Sequence, residues 1–216
     1  SYFYFGYTEG AKRSSNFRPF GRMSQMASVY ASDHLFPLFQ NRLLSTNKAE
    51  YNQFVSWLGL GSSESIDPFS IFERTSGLRT TDSLELIPVP RINKERRVKF
   101  EFFCRGVRYL SECSKMMMTA LEEGDELYLM RDSQNVADPQ AIALRSNAPA
   151  TLIGYVPRYL AKEIYDAGVI DLIRSFRARV TKNNRDAPTE FRLLCELKID
   201  WVSPGLPFSS RDFSPL

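Results

Sequence analysis

Hydrophobic positions repeat with two different periods along this chain, and the change falls near its middle. In the second half Phe191, Leu193, Cys195, Leu197, Ile199 and Trp201 alternate with Arg192, Glu196, Lys198 and Asp200. Successive side chains of a strand point to opposite faces, so this run predicts a strand with one buried face. Phe176, Ala178 and Val180 alternate with Arg177 and Arg179 in the same way. The Asn-, Asp- and Pro-rich turn at 183–189 joins the two runs into a predicted long hairpin. Residues 124–158 read as strand, loop, strand, turn, strand. One helix is predicted at 157–167, with Leu160, Ala161, Ile164 and Tyr165 on one face and Gly168 as its stop.

The first half follows a period near 3.6. Tyr51, Phe54, Val55 and Leu58 fall at i, i+3, i+4 and i+7, the stripe of a core-facing helix. Asn47 as N-cap and Glu50 three residues on form a predicted capping box, and Gly59 ends the helix. Asp67-Pro68 opens a second helix with Phe69 and Phe72 as its apolar face, closed by Gly77. The run at 34–44 suggests a helix or a turn followed by one. Short strands are expected at 1–7, at 21–26 and through Leu84, Leu86 and Val89. Two prolines and a charge run at 88–97 mark a linker. The expected organisation is therefore a docking domain at 1–90, a linker at 91–97, a strand-built domain at 98–202 and a tail at 203–216. That tail holds three prolines and no periodicity, so it reads as an extended arm in which Phe208 and Phe213 could dock on a partner. The fold class is α+β: a small helical and stranded domain followed by a barrel related in layout to OB-type folds.

Composition narrows the functional classes. With 43% hydrophobic residues in 216, the chain can bury one large core or two small ones. A net charge of +3 permits nucleic-acid or acidic partners without requiring them. The local balance is more basic, because 91–108 carries seven Lys or Arg against two Glu. Cys104, Cys113 and Cys195 lack metal-ligand spacing and read as reduced, buried thiols of a cytoplasmic protein. No apolar run reaches the ~18–20 residues of a membrane span. His34 reads as a capping or core residue. Glu122, Glu123, Asp125 and Glu126 form an acidic cluster that a metal-dependent nuclease could use, although a solvated turn is the plainer account. Met116, Met117 and Met118 read as a loop tucking sulphurs into the core, or as a soft contact surface. Phosphate-loop, nucleophile-elbow and zinc-protease patterns are absent, so neither a catalytic centre nor a cofactor is expected.

The most specific residues are Gly106-Val107-Arg108-Tyr109, Gly124-Asp125, Arg131-Asp132, Asn135 through Ala141, and Gly154-Tyr155-Val156-Pro157-Arg158. Their order resembles the HIRAN domain, a barrel-like module whose best-understood members grip ends of single-stranded DNA. The resemblance implies that Arg108 meets phosphate, Tyr109 meets a base, and Asp138 lies near the terminal 3′-hydroxyl. Asn135, Tyr155 and Arg158 complete the implied pocket. The family's Asn-Pro-x-Asp loop is Asn135-Val136-Ala137-Asp138 here, and Asn135 and Asp138 could equally serve only as turn formers. In the first half, the Leu35 to Leu44 run, the 51–58 helix, Asp67-Pro68-Phe69, Gly77 and a segment ending at Pro88 resemble the N-terminal subdomain of HipA-type kinases. That likeness implies an antitoxin subunit that docks on a HipA-like kinase, with Phe36, Phe39 and Trp57 as contacts, alongside a further DNA-binding antitoxin subunit. A DNA-repair or processing accessory protein with no kinase partner is the alternative.

Overall fold

The computed structural model describes residues 2–47, 49–61, 66–79 and 81–216. Two compact units divide the chain, Ser1–Leu43 with Pro204–Leu216, and Leu44–Ser203. The division therefore lies at Leu43 and Pro204, whereas the prolines and charges suggested 91–97.

In the smaller unit, β1 (Phe3–Phe5) pairs antiparallel with β2 (Tyr30–Ser32), Tyr4 standing opposite Ala31. The strand expected at 21–26 does not form. Its backbone instead wraps the buried Tyr7 hydroxyl, which donates to Met23 O at 2.6 Å and accepts from Phe20 N at 2.8 Å. A buried hydroxyl without partners is costly, so the loop goes where the hydroxyl needs it. Phe5 is ringed by Phe20, Phe36 and Phe39, with centroids 5.9, 6.2 and 6.0 Å away. Helix α1 (Glu9–Arg13) follows β1, and α2 (Pro37–Gln40) is a single turn that Pro37 can only begin. The C-terminal tail is no loose arm: Pro215 bridges to Thr8, and Glu9 N–H donates to Ser214 O at 2.9 Å.

The larger unit opens with α3 (Tyr51–Trp57) and α4 (Pro68–Thr75). Glu50, not Asn47, occupies the N-cap of α3, and the capping box is not made. Asn47 N–H is drawn into a turn on Ser45 Oγ at 3.4 Å. Asp67 caps α4 by accepting from Phe69 N at 3.3 Å, and Ser76 ends it with a left-handed φ of 55°. Ile71 and Phe72 face the core, while Phe69 is exposed, so the predicted apolar face was turned by one position. No strand forms through Leu84, Leu86 and Val89. Leu86 N–H is held by Ser76 O at 2.8 Å, and that stretch has no ladder to join.

The period-2 runs become one antiparallel six-stranded sheet. Its members are β3 (Arg97–Phe103), β4 (Glu126–Arg131), β5 (Ile142–Arg145), β6 (Leu152–Tyr155), β7 (Arg177–Asn183) and β8 (Leu193–Asp200). They lie in the order β3-β8-β7-β4-β5-β6. The predicted hairpin is β7–β8, with Ala178 opposite Leu197. Val98, Phe102, Leu127, Leu129, Ala178, Val180, Leu197 and Ile199 fill the concave side, all buried. Each buried large side chain contributes about 1.5–3 kcal/mol relative to exposure, so register is firmly set. The sheet curls until its edges meet: Arg105, just past β3, exchanges backbone bonds with Tyr155 of β6 at 2.8 and 2.9 Å. An OB-like half-barrel results. Helix α6 (Arg158–Asp166) buries Leu160, Ala161 and Ile164 as its pattern required. An unpredicted helix, α5 (Glu112–Ala120), carries the three methionines, with Met118 buried and Met116 exposed, so the loop expected there is a helix.

Candidate nucleic-acid interface

The edge closure positions the candidate site, and two glycines make the closure possible. A Cβ on Gly154 would lie 2.3 Å from Cys104 Sγ and 2.7 Å from Arg105 O. Gly106 has φ +74°, and its Cβ would meet the Tyr155 ring at 2.8 Å. Only glycine allows both approaches. From Gly106 the chain makes a 3₁₀ turn, Val107–Tyr109. Val107 and Leu110 drop into the core and anchor the turn, which leaves Arg108 and Tyr109 pointing outward. Tyr109 is 81% exposed, and the Arg108 guanidinium carbon sits 5.6 Å from its ring centroid. A cation and a flat ring are thus presented together on a rigid turn.

Beside this turn stands the loop between β4 and β5. Tyr155 donates from its hydroxyl to Asp132 Oδ2 at 2.9 Å. Burial and the neighbouring Asp132 push the Tyr155 hydroxyl above its ordinary value, so it remains a donor. Asn135 donates from Nδ2 to Asp132 at 3.2 Å, and its Oδ1 accepts from Ala137 N at 3.0 Å and Asp138 N at 3.1 Å. Asp138 Oδ1 accepts from Gln140 N at 3.0 Å. Both residues are therefore turn formers, as the bare Asn-x-x-Asp spacing allowed. Arg158, the first residue of α6, reaches across to Asp138 Oδ2 at 3.3 Å and donates to Ala137 O at 2.9 Å. Asp138 is only 18% exposed at its side chain, yet each carboxylate oxygen keeps a second lone pair.

Three of the seven basic residues at 91–108 are locally paired. Arg97 pairs with Asp200 at 3.0 Å, Lys99 lies 3.4 Å from Glu101, and Arg105 lies 3.8 Å from Glu85. Among the described residues Arg108 makes no ion pair, so its charge faces solvent undiminished. It borders a cavity of about 360 Å³ with Arg105, Gly106, Val107, Thr189 and Glu190. Burial raises the Glu85 carboxyl above its usual range, more than Arg105 and Arg158 lower it.

Other sequence candidates have different places. Phe36 and Phe39 are half-buried, packed against Phe5 within the smaller unit. Trp57 donates from its indole to Asp186 at 3.3 Å. All three expected partner contacts thus already have internal partners. His34 is exposed beside Asp33 at 2.7 Å, neither a cap nor a core residue. Cys104 and Cys195 are buried, with Cys104 pushed up to about 12 by burial, while Cys113 is exposed. Asp125 accepts from Glu122 N at 2.9 Å, which makes it a turn former within the acidic cluster. Sequence reasoning gave no role to Asp132, Glu85 or Arg105. Asp132 stood three residues before Asn135, a spacing that could have revealed the shared turn; nothing local signalled the other two.

The sequence profile of the HIRAN domain matches residues 98–200. That stretch is a HIRAN domain. Two solved structures are also similar to this chain. One is the HIRAN domain of human HLTF, 17% identical, covering 47% of this chain and 74% of that one with a TM-score of 0.36. The other is a protein from Lactobacillus plantarum, 22% identical, covering 48% and 96% with a TM-score of 0.37. No curated protein matches the chain. The HIRAN boundaries coincide with the sheet, from Val98 in β3 to Asp200 at the end of β8. Arg108, Tyr109, Asn135, Asp138, Tyr155 and Arg158 all lie within it. Among the described residues no helix is long and apolar enough to cross a membrane.

Proposed function

We propose that the HIRAN domain of this chain binds single-stranded DNA at a strand end, without catalysis, through the turn at Val107–Tyr109. The observation that carries this reading is the outward pair Arg108 and Tyr109, held on a turn between two buried anchors at the seam of the barrel. A guanidinium offers forked donors to phosphate oxygens. An exposed tyrosine offers a face to an unstacked base, worth about 1–3 kcal/mol. Tyr155 and Asn135 hold the adjoining loop, and Arg158 fixes Asp138 at its end. The free lone pairs of Asp138 can accept from a 3′-hydroxyl, whereas a 3′-phosphate there meets a like charge.

Fluorescence anisotropy with labelled oligonucleotides tests this. The wild type is expected to bind single strands ending in a 3′-hydroxyl more tightly than those ending in a 3′-phosphate. Arg108→Ala and Tyr109→Ala each cost about 1–3 kcal/mol. Wild-type affinity in both variants would show that the turn is not the contact, and no binding by the wild type would remove the function itself.

A further inference from the structure

A second cavity adjoins the first, sharing Val107, Arg108 and Thr189 as its border. It measures about 290 Å³ and adds Lys115, Met118 and Arg192 to the wall. Lys115 rises from α5, and Arg192 stands at the foot of β8, so two separate elements aim cations at one space. Arg192 is half-buried. Its Nη2 donates to Ala187 O at 3.0 Å, but its Nε is buried with no hydrogen-bond partner. A buried charged N–H without an acceptor is costly, so the protein's own groups leave this guanidinium one acceptor short. Lys115 pairs with Glu112 at 2.8 Å on its exposed side. Among the residues lining the two cavities the one carboxylate, Glu190, borders the first and not the second.

We propose that this cavity is a second phosphate station, taking the next phosphodiester of a strand whose end occupies Arg108 and Tyr109. The inference rests on the single-strand reading above and extends it by one nucleotide step. Arg108 borders both cavities and so lies between the two positions. Arg192 supplies a planar fork from one side and Lys115 a point charge from the other. A strand would then follow a line of cations instead of meeting a single contact, as single-strand grooves generally require.

The test compares a thymidine dinucleotide, which carries one phosphate, with a hexanucleotide, by anisotropy on the full chain. Arg192→Gln and Lys115→Gln are expected to leave dinucleotide affinity unchanged and to weaken the hexanucleotide about tenfold. The dependence of log K on log salt should flatten by about 0.7 for each lost contact. Arg192→Lys, which keeps the charge but loses the fork, should restore the salt slope and only part of the affinity. If both Gln variants bind the hexanucleotide like wild type, the station does not exist. Equal loss on both oligonucleotides with a lowered Tm would make Arg192 a prop of the hairpin, which also overturns the proposal. Absence of any wild-type binding, by contrast, would strike at the function before the station.

Discussion

Single atoms decide where Arg108 points. Gly154 admits the Arg105 carbonyl and the Cys104 sulphur, which lets β6 bond to the residue just past β3. Gly154→Ala inserts a methyl into backbone and should lower stability by about 1–3 kcal/mol, read as a reduced urea midpoint. Retained stability would mean that the edges part easily. Glu85 gives a second residue-scale expectation. Its carboxyl is raised by burial, so protonation favours the fold; that contribution is complete below the ordinary 4.5 and is lost as pH rises through the higher folded value. Relative to wild type, Glu85→Gln should therefore gain stability between pH 5 and 7, with urea midpoints at the two pH values as the measure. An identical pH slope in both proteins would exclude Glu85 as a contributor. The residues of the turn were legible in the sequence because Gly-x-Arg-Tyr is contiguous. Glu85 was not, since it meets Arg105 only through the packing of a distant segment.

Elements were legible in proportion to the strength of their repeat. The β7–β8 hairpin and α6 have clean periods and appeared where expected. Helix α5 was missed because Ser111 is followed by Ser114 in place of a glutamate, and three consecutive methionines show no stripe. The structure reveals the cap: Ser111 Oγ accepts from Ser114 N at 3.2 Å. Ser111→Ala should cost ~1 kcal/mol of stability. Because Lys115 rides on the first turns of α5, the same change should weaken hexanucleotide binding more than dinucleotide binding. A drop in Tm with no change in the ratio of the two affinities would detach the helix from the binding surface. The strand expected at 21–26 failed for the opposite reason. A short apolar alternation was overruled by one buried hydroxyl from Tyr7, a tertiary demand that no local pattern contains.

At the scale of the whole molecule, the proline-rich break at 88–97 was read as a domain boundary, yet the larger unit runs from Leu44 to Ser203. Proline and charge report a stretch that cannot be helix, which is not the same as a stretch that parts two cores. What joins the two sides is packing and polar contact. Phe54 meets Phe191 edge-on at 5.6 Å, Leu58 is fully buried, and Asn184 Nδ2 donates to Trp57 O at 2.8 Å. Lys182 Nζ donates to Ser56 O at 2.6 Å, and Gln53 Nε2 to Asp186 at 2.9 Å. Helix α3 therefore braces the β7–β8 turn, the same turn that supplies Thr189 and Arg192 to the cavities. A fragment beginning at residue 91 should lose that brace, expose Phe191 and Leu194, and show weaker single-strand binding than one spanning 44–203. Circular dichroism melts and anisotropy on the two fragments measure this directly. Equal melting and equal affinity would mean that the HIRAN barrel is self-sufficient and that residues 44–90 serve some purpose other than holding its binding edge in place.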